Sequence, residues 1–374
     1  MVFVYTPAMF KHSHISWPGV PLALSSAVLF GASTPFAKLL LGNGIGPWLL
    51  AGLLYLGSGI GLGLYGSLRR SAGPVSTEAP LRRADIPWLA LVILCGGVAG
   101  PLLLMLGLTR TPASSAALLL NLEGLATMAI AWVVFRENVD RRLLVGAAAI
   151  LAGAVVLSWS GGVQPVGWGA LFIAGACVAW GIDNNLTRKL SGSDPVQIAA
   201  VKGLVAGTVN FALAVASGAS LPAVLPLAGA AMIGLLGYGV SLVLFVLALR
   251  HLGSARTGAY FSMAPFIGAA LAVGMLAEPV SLRLGIAAVL MGIGLWLHLT
   301  ERHDHEHTHE EMEHEHRHVH DAHHQHAHTD ADPPGEPHTH RHKHAPLVHT
   351  HPHYPDLHHR HNHGLDSDGH TDTK

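Results

Sequence analysis

Two segments of this chain repeat each other, residues 106–157 and residues 247–296. Each lies at the end of a run of five apolar stretches, so the chain duplicates a membrane unit. Because an odd number of spans reverses the direction of the chain, the second copy is expected to lie inverted in the bilayer. The identities at a spacing of 141 residues are Leu106 with Leu247, Leu108 with Leu249, Ala129 with Ala270, Ala131 with Ala272, Glu137 with Glu278, Val139 with Val280 and Arg142 with Arg283.

The composition divides the chain into two parts. Half of the 374 residues are hydrophobic and only 12% are charged, which is typical of an integral membrane protein. The last 74 residues, in contrast, hold 24 of the 28 histidines. Cys95 and Cys177 both lie inside apolar stretches, so the sequence gives no support for a disulfide framework.

Ten stretches approach the ~20 apolar residues that a helix needs to cross a bilayer. Unpaired backbone groups are costly in lipid, so each stretch is predicted to be a helix. The stretches are Pro21 to Leu41, Pro47 to Ser67, Pro87 to Leu108, Ala113 to Phe135, Leu143 to Trp159, Val166 to Leu186, Pro195 to Ala216, Pro226 to Leu249, Thr257 to Leu276 and Leu284 to Leu299.

The distribution of Lys and Arg predicts the orientation. With the N-terminus inside, thirteen of these residues fall in cytoplasmic segments and only Lys38, Arg110 and Arg283 fall outside. Four Arg lie between spans two and three, whereas none lies in the equivalent loop between spans seven and eight, as inverted copies require. We therefore expect a multi-pass protein of the cytoplasmic (inner) membrane with both termini in the cytoplasm.

Residues 102–157 and 242–297 resemble the closing half of an EamA-type repeat of the drug/metabolite transporter superfamily. Both show a short polar break, a small-residue helix, a Glu-containing turn and a Gly/Ala-rich final span. The resemblance implies an all-α carrier of ten transmembrane helices in two inverted five-helix repeats, moving a small solute by alternating access. It does not imply which solute.

The expected organisation has four parts. A short cytoplasmic N-terminus covers residues 1–19, the first repeat covers 20–160, the second covers 161–300, and a disordered tail covers 301–374. The string His303-Asp304-His305-Glu306-His307 matches a zinc-peptidase pattern, but it does not lie on an apolar helix as such sites require. We therefore do not expect an enzyme.

Few ionisable residues fall within the predicted spans, where each costs ~2.5 to 3.5 kcal/mol at the bilayer centre. One hypothesis is that Glu123, Asp183 and Lys202 line a central cavity and bind a charged or zwitterionic solute, or carry a coupling proton. The alternative is that Glu123 and Lys202 only neutralise each other, or that Lys202 extends to the membrane surface. The predicted substrate-binding residues are Ser33, Thr34, Glu123, Asp183, Asn184, Lys202 and Tyr238.

The first and sixth spans carry possible helix breaks at equivalent positions. Residues 31–35 end in Pro35, which removes a backbone donor, and residues 180–185 contain Asp183 and two Asn at a spacing of 150. Two broken helices would indicate the substrate site. A proline tolerated in an unbroken membrane helix is the competing interpretation.

Two short segments, Arg136-Glu137 and Ala277-Glu278-Pro279, are predicted to mark helix ends at opposite faces of the membrane. A carboxylate near the N-terminus of the next helix is favoured by the helix dipole. We therefore expect a structural role for Glu137 and Glu278.

The tail alternates histidine with polar residues and cannot bury enough apolar surface to fold alone. Closely spaced imidazoles are good ligands for zinc, nickel or cobalt, so the tail is predicted to bind divalent metal. The predicted ligands are His303, His305, His307, His309, His314, His316, His318, His320, His338, His340, His342 and His344.

The favoured prediction is transport of a small organic solute, such as a metabolite, an amino acid or a drug-like compound. The alternatives are a divalent-metal transporter or metal-regulated carrier, and a membrane-anchored metal store. The expected partners are the solute, the lipid bilayer and the metal ions of the tail. No cofactor is required, no nucleic-acid partner is expected, and the oligomeric state is left open.

Overall fold

A computed structural model describes residues 19–71, 80–135, 141–159, 167–187, 190 and 193–300, together with the backbone of four short strands between residues 304 and 352. The first copy contains α1 (Gly19–Gly42), α2 (Pro47–Ser71), α3 (Ile86–Val92), α4 (Gly100–Leu108), α5 (Ala113–Leu119), α6 (Leu122–Phe135) and α7 (Arg141–Ser158). The second contains α8 (Trp168–Thr187), α9 (Pro195–Ala216), α10 (Val224–Ile233), α11 (Ser241–Phe261), α12 (Ala264–Leu276) and α13 (Leu282–Leu299).

The described part of the chain between residues 19 and 300 is helical throughout its regular elements. Within it, seven helical segments are long and apolar enough to cross a membrane. The predicted architecture of membrane-spanning α-helices is confirmed for these seven segments. The seven segments are Gly19–Gly42, Pro47–Arg69, Arg83–Leu108, Ala113–Val134, Arg141–Ser158, Pro195–Ala216 and Val224–Ala248, and two shorter apolar helices are Ala264–Leu276 and Leu282–His298.

Each copy contains a π-helical segment, Ile93–Ala99 between α3 and α4 and Gly234–Val240 between α10 and α11. The two segments have the same length and lie at the same 141-residue spacing as the sequence repeat. Side chains of other helices bind the carbonyls of the first segment: Tyr55 Oη donates to Gly96 O over 2.7 Å. The duplication therefore extends from the sequence to an irregular detail of the backbone.

Equivalent helices of the two copies run in opposite directions. A Cβ atom placed on Gly52 of α2 would lie 2.6 Å from Phe211 N of α9, and one placed on Gly59 would lie 2.6 Å from Gly203 C. Residue numbers thus rise along α2 as they fall along α9. The two copies are therefore antiparallel where they meet.

The last helices of the two copies, α7 and α13, pack in the same antiparallel manner. A Cβ atom on Gly146 would lie 2.5 Å from the His298 ring, and one on Gly153 would lie 2.8 Å from Met291 Cγ. Small residues on both helix pairs let the backbones approach closely, which is the main source of helix association in a membrane.

Three connections meet at one face of the bundle. Lys38 near the end of α1 and Glu278 between α12 and α13 both contact the connection between α4 and α5. We call this the far face. The opposite face, at which α13 ends and the histidine-rich tail begins, is called the tail face.

The predicted breaks in the first and sixth spans are wrong. α1 continues through Pro35, and α8 continues through Asp183. The tolerated-proline interpretation holds because α1 is enclosed by neighbouring helices: a Cβ atom on Gly31 would meet the backbone of Ala264, which leaves the chain little room to bend away.

The breaks fall instead between α5 and α6, at Leu120–Asn121, and between α11 and α12, at Ser262–Met263. The predicted loop between the eighth and ninth stretches, residues 250–256, is helical and belongs to α11. The difference has a local reason. In the first copy α4 ends at Leu108 and Pro112, which has no backbone N–H, directly precedes α5, whereas the equivalent residue of the second copy is Gly253.

Beyond Thr300 the structure describes the backbone of β1 (Asp304–His309), β2 (Met312–His318), β3 (His338–His344) and β4 (Leu347–Pro352). β1 pairs with β4 and β2 pairs with β3, both antiparallel. The tail was predicted to be disordered, whereas these four segments are strands. Their alternating His-x-His sequence has the two-residue period of a strand. The remainder of the tail lies outside the described residues, so its disorder stays a prediction.

The close approach of α2 and α9 leads to a stability prediction. Gly59→Ala should lower the free energy of unfolding by about 1–3 kcal/mol, because the added methyl group overlaps the α9 backbone. Gly63→Ala, on the same helix, is the matched control, since a Cβ atom there meets nothing within 4 Å. Thermal unfolding in detergent should separate the two variants, and equal melting temperatures would contradict the antiparallel contact.

Candidate functional site

A buried ion pair joins two helices of the second copy. Lys202 Nζ of α9 donates to Asp183 Oδ2 of α8, and the two residues are 7% and 5% exposed. Thr187 Oγ1 donates to the other carboxylate oxygen over 3.0 Å. A Cβ atom on Gly96 would collide with the same carboxylate, so Gly96 packs directly against Asp183. The π segment of the first copy therefore covers one side of the ion pair.

This ion pair agrees with neither form of the alternative interpretation of Lys202, neutralisation of Glu123 or extension to the membrane surface. Lys202 is paired with Asp183 rather than with Glu123, and it is buried instead of extending to the membrane surface. A charge pair in an apolar interior is costly to break, because either partner alone would be left without compensation. The Asp183–Lys202 ion pair therefore joins α8 to α9 inside the bundle.

Glu123 has a different partner. Its Oε1 accepts a hydrogen bond from Asn184 Nδ2 over 2.8 Å, and Asn184 lies 3.3 Å from Thr127 Oγ1. Glu123 is only partly buried, Asn184 is exposed, and a Cβ atom on Gly124 would meet nothing within 4 Å. Among the described residues, Glu123 is thus a carboxylate with an amide partner and no cationic partner.

Local backbone geometry places these side chains. Glu123 is the second residue of α6, directly after the break at residues 120–121. A Cβ atom on Gly181 would lie 2.9 Å from Thr127 N, so α6 and α8 approach closely one turn away from Asn184. The three successive polar residues of α8 therefore have different partners: Asp183 binds Lys202 and Asn184 binds Glu123. Asn185 donates to the carbonyls of Thr127 and Gly181 over 3.1 Å and 2.8 Å.

An aromatic cluster lies beside these polar residues. The ring of Phe30 is 6.1 Å from that of Trp180, 5.9 Å from that of Tyr238 and 5.4 Å from that of Phe261. Trp180 lies one turn before Asn184 on α8, so the two share a helix face. The cluster therefore joins α1 and the second copy at the level of the polar site.

The remaining predicted site residues lie in or beside the aromatic cluster. Ser33 Oγ donates to Phe30 O over 2.6 Å, and a Cβ atom on Gly237 would lie 2.7 Å from Ser33 Cβ. Tyr238 is buried, and its ring lies 5.9 Å from that of Phe30 and 5.4 Å from that of Tyr55. Thr34 is buried and contributes no hydroxyl to the Glu123–Asn184 pair.

Three aromatic residues of this site, Phe30, Trp180 and Phe261, are absent from the sequence prediction. A usable signal was present for Trp180, which precedes Asn184 by four residues and therefore lies on the same helical face. Phe30 and Phe261 have no such local signal, because they meet only through packing between the copies.

Glu278 does not have the predicted role at its own helix. The N-terminus of α13 is capped by Ser281, whose Oγ accepts from Leu284 N over 3.1 Å. The Glu278 carboxylate instead accepts from Ala113 N (2.7 Å), Ser114 N (2.9 Å) and Ser114 Oγ (2.5 Å) at the start of α5. It therefore caps a helix of the other copy. Its counterpart Glu137 lies outside the described residues.

The predicted metal ligands lie in the tail. Ten of them fall in the strands: His305, His307 and His309 in β1, His314, His316 and His318 in β2, and His338, His340, His342 and His344 in β3. His303 and His320 lie outside the described residues. Across the part of the chain whose side chains are described, no group of three or more His, Cys, Asp or Glu could hold a metal ion. Both cysteines are free.

An antiparallel pair of helical copies around an intramembrane carboxylate and an aromatic cluster defines a multi-pass membrane transporter. The family model of the EamA-like transporter family matches residues 17–159 and again residues 167–300. The chain belongs to this family, and the resemblance found in the sequence is confirmed.

Known proteins agree with this assignment. An uncharacterized transporter of Methanothermobacter thermautotrophicus is 27% identical over 291 residues, covering 73% of this chain and 84% of its own length. A probable terminal-alkyne amino-acid exporter of Streptantibioticus cattleyicolor is 28% identical over 235 residues, covering 60% and 78%. A crystal structure with 20% identity superposes with a TM-score of 0.55 over 75% of this chain and 94% of the other, and shows the same fold.

The buried ion pair leads to a double-variant prediction. Asp183→Asn alone should lower the free energy of unfolding by about 3–5 kcal/mol, because Lys202 is left buried and unpaired. Asp183→Asn with Lys202→Met should recover to within about 1 kcal/mol of the unmodified protein. Unfolding in detergent measures the stability of both variants. If the double variant were as unstable as the single variant, the idea that Asp183 and Lys202 only neutralise each other would be wrong.

Proposed function

We propose that this protein carries a small zwitterionic organic solute, of the amino-acid class, across the cytoplasmic membrane by alternating access. The observation that carries the proposal is the Glu123–Asn184 pair, a partly accessible carboxylate without a cationic partner among the described residues, between two antiparallel copies. An intramembrane carboxylate of this kind is expensive to retain and typically marks a transport pathway.

The solute class follows from the charges at the site. Asp183 and Lys202 neutralise each other, so Glu123 contributes the remaining charge among the described groups there. An ammonium group complements that carboxylate, while the aromatic cluster around Phe30 suits an apolar side chain. The similar protein of Streptantibioticus cattleyicolor, named for export of an amino acid, supports the same class.

Alternating access is supported by a difference between equivalent positions. Thr34 and Asn184 correspond at the 150-residue spacing, Thr34 in the far-face half of α1 and Asn184 in the tail-face half of α8. Thr34 is 2% exposed, whereas Asn184 is exposed. This difference supports a carrier that is closed at the far face and accessible from the tail face.

The membrane topology completes the proposal. Adding α8 and the shorter apolar helices α12 and α13 to the seven helices of sufficient length gives ten spans. With this topology the sequence assigns thirteen of the sixteen counted Lys and Arg residues to segments on the tail side, which supports a cytoplasmic tail face and an external far face.

A substitution at Glu123 tests transport directly. In proteoliposomes, Glu123→Gln should reduce exchange of isotopically labelled neutral amino acids, including an alkyne-bearing one, at least about tenfold, the equivalent of one lost ionic contact. Asp85→Asn is the control, because Asp85 lies at an exposed tail-face turn, where its carboxylate accepts from Arg82 N, away from the Glu123 site. Unchanged exchange in Glu123→Gln would remove Glu123 from the site. No exchange in the unmodified protein would reject the solute class.

We propose further that the tail binds divalent metal as an accessory to the carrier. The strand register supports this: His305 pairs with His351, His307 with His349, and His316 with His340. Backbone positions that face each other across an antiparallel ladder lie ≈ 4.5–5.5 Å apart, which suits shared coordination of one zinc, nickel or cobalt ion.

Truncation of the tail distinguishes a tail that only binds metal from a membrane core that transports metal. Cells that make the full chain should retain more zinc, nickel and cobalt than cells that make a chain ending at Glu301, while amino-acid exchange is the same for both. Elemental analysis of washed cells measures the metal. Equal changes in metal content with and without the tail would favour a divalent-metal transporter, and metal retention without any solute exchange would favour a metal store.

A further inference from the structure

We infer that Glu278 and Lys38 form an external latch, which holds the far face closed and must release in each transport cycle. The latch is defined by Lys38, the α4–α5 connection (residues 109–114) and Glu278. This inference rests on the proposed alternating access, and its residues are distinct from the solute site at Glu123.

Glu278 joins the two copies by three hydrogen bonds. Its carboxylate accepts both backbone donors at the start of α5, Ala113 N and Ser114 N, as well as Ser114 Oγ. These donors have no partner within α5, because the first turn of a helix leaves its N–H groups unbonded. Bonds from neutral donors to a carboxylate are stronger than bonds between neutral groups, so this single side chain fixes α5 to the second copy.

Lys38 binds the same connection from the other side. Its Nζ donates to Leu108 O and, over 2.9 Å, to Thr111 O. These carbonyls belong to the last residue of α4 and the turn that follows it. The α4–α5 connection is therefore held at its start by a cation of α1 and at its end by an anion of the second copy.

The latch is built to be reversible. Lys38, Thr111 and Glu278 are each only partly buried, so water can replace their partners when the contact opens. Ala277, immediately before Glu278, has a φ of 49°, a left-handed conformation that costs a residue with a Cβ atom roughly 1–2 kcal/mol. Strain of this kind persists where surrounding contacts hold it and is often found at switching segments.

The position of the latch explains what it controls. It lies at the far face, where Thr34 is buried, and not at the tail face, where the equivalent Asn184 is exposed. The helix pair α7 and α13 is different, because it packs through glycines along its length and is not expected to separate. A solute leaving towards the far face therefore requires the Glu278 contact, but not the α7–α13 contact, to open.

Cross-linking tests whether the latch must open. In a background with Cys95→Ala and Cys177→Ala, Ser114→Cys with Glu278→Cys is bridged by a short, reducible bifunctional thiol reagent. Exchange of labelled neutral amino acids in proteoliposomes should fall at least tenfold and return on reduction. The matched control is Arg142→Cys with Thr300→Cys, which joins α7 to the end of α13 at a 2.5 Å contact and should retain exchange when bridged.

Exchange that persists with the Ser114–Glu278 bridge in place would overturn the latch, and so would equal, reversible loss in both bridged pairs. Absence of exchange before bridging, in the cysteine-free background and the unmodified protein alike, would instead reject the proposed solute. A second measurement that needs no solute covers that case.

The second measurement uses a reporter thiol at Gly124→Cys, where the added side chain has open space beside Glu123. A membrane-impermeant thiol reagent should label this reporter in inside-out vesicles. From outside it should label slowly, and Glu278→Gln should increase the outside rate at least tenfold. Glu137→Gln, the equivalent substitution in the first copy, should not increase it. An unchanged outside rate in Glu278→Gln, or a reporter protected from both sides, would overturn the latch.

Discussion

The close approach of backbones between the two copies is the constraint on which the structure depends. In lipid the hydrophobic effect does not drive helices together, so association relies on packing and on hydrogen bonds between helices. Glycines at the α2–α9 and α7–α13 contacts allow that packing, and both contacts are antiparallel. The inverted arrangement of the two copies is expressed in these two contacts.

Polar groups then have two separate uses. Asp183 and Lys202 neutralise each other inside the bundle at the contact between α8 and α9. Glu123 lies close by but is bound by the amide of Asn184, which leaves its charge for another partner. At the far face, Lys38 and Glu278 bind backbone groups rather than each other. The same residue types therefore form a buried ion pair, a carboxylate–amide pair and contacts to free backbone groups in one chain.

The sequence predicted the helical duplication and the family well, because periodic apolar stretches and internal identities are local signals. It also singled out Glu123 and Asn184, since polar residues are conspicuous in apolar spans. It could not predict that Lys202 would bind Asp183, or that Glu278 would cap α5, because both depend on which helices become neighbours. It placed the helix breaks at Pro35 and Asp183, whereas packing keeps α1 and α8 continuous and puts the breaks in the fourth and ninth spans.

The π segment between α3 and α4 has a mechanical consequence. Gly96 O accepts one hydrogen bond from Tyr55 of the first copy and another from Trp180 of the second, over 2.7 Å and 3.0 Å. A single carbonyl thus ties a ring from each half of the molecule to the same point of the backbone. Any relative movement of the two copies must therefore bend or break one of the two hydrogen bonds that share this oxygen.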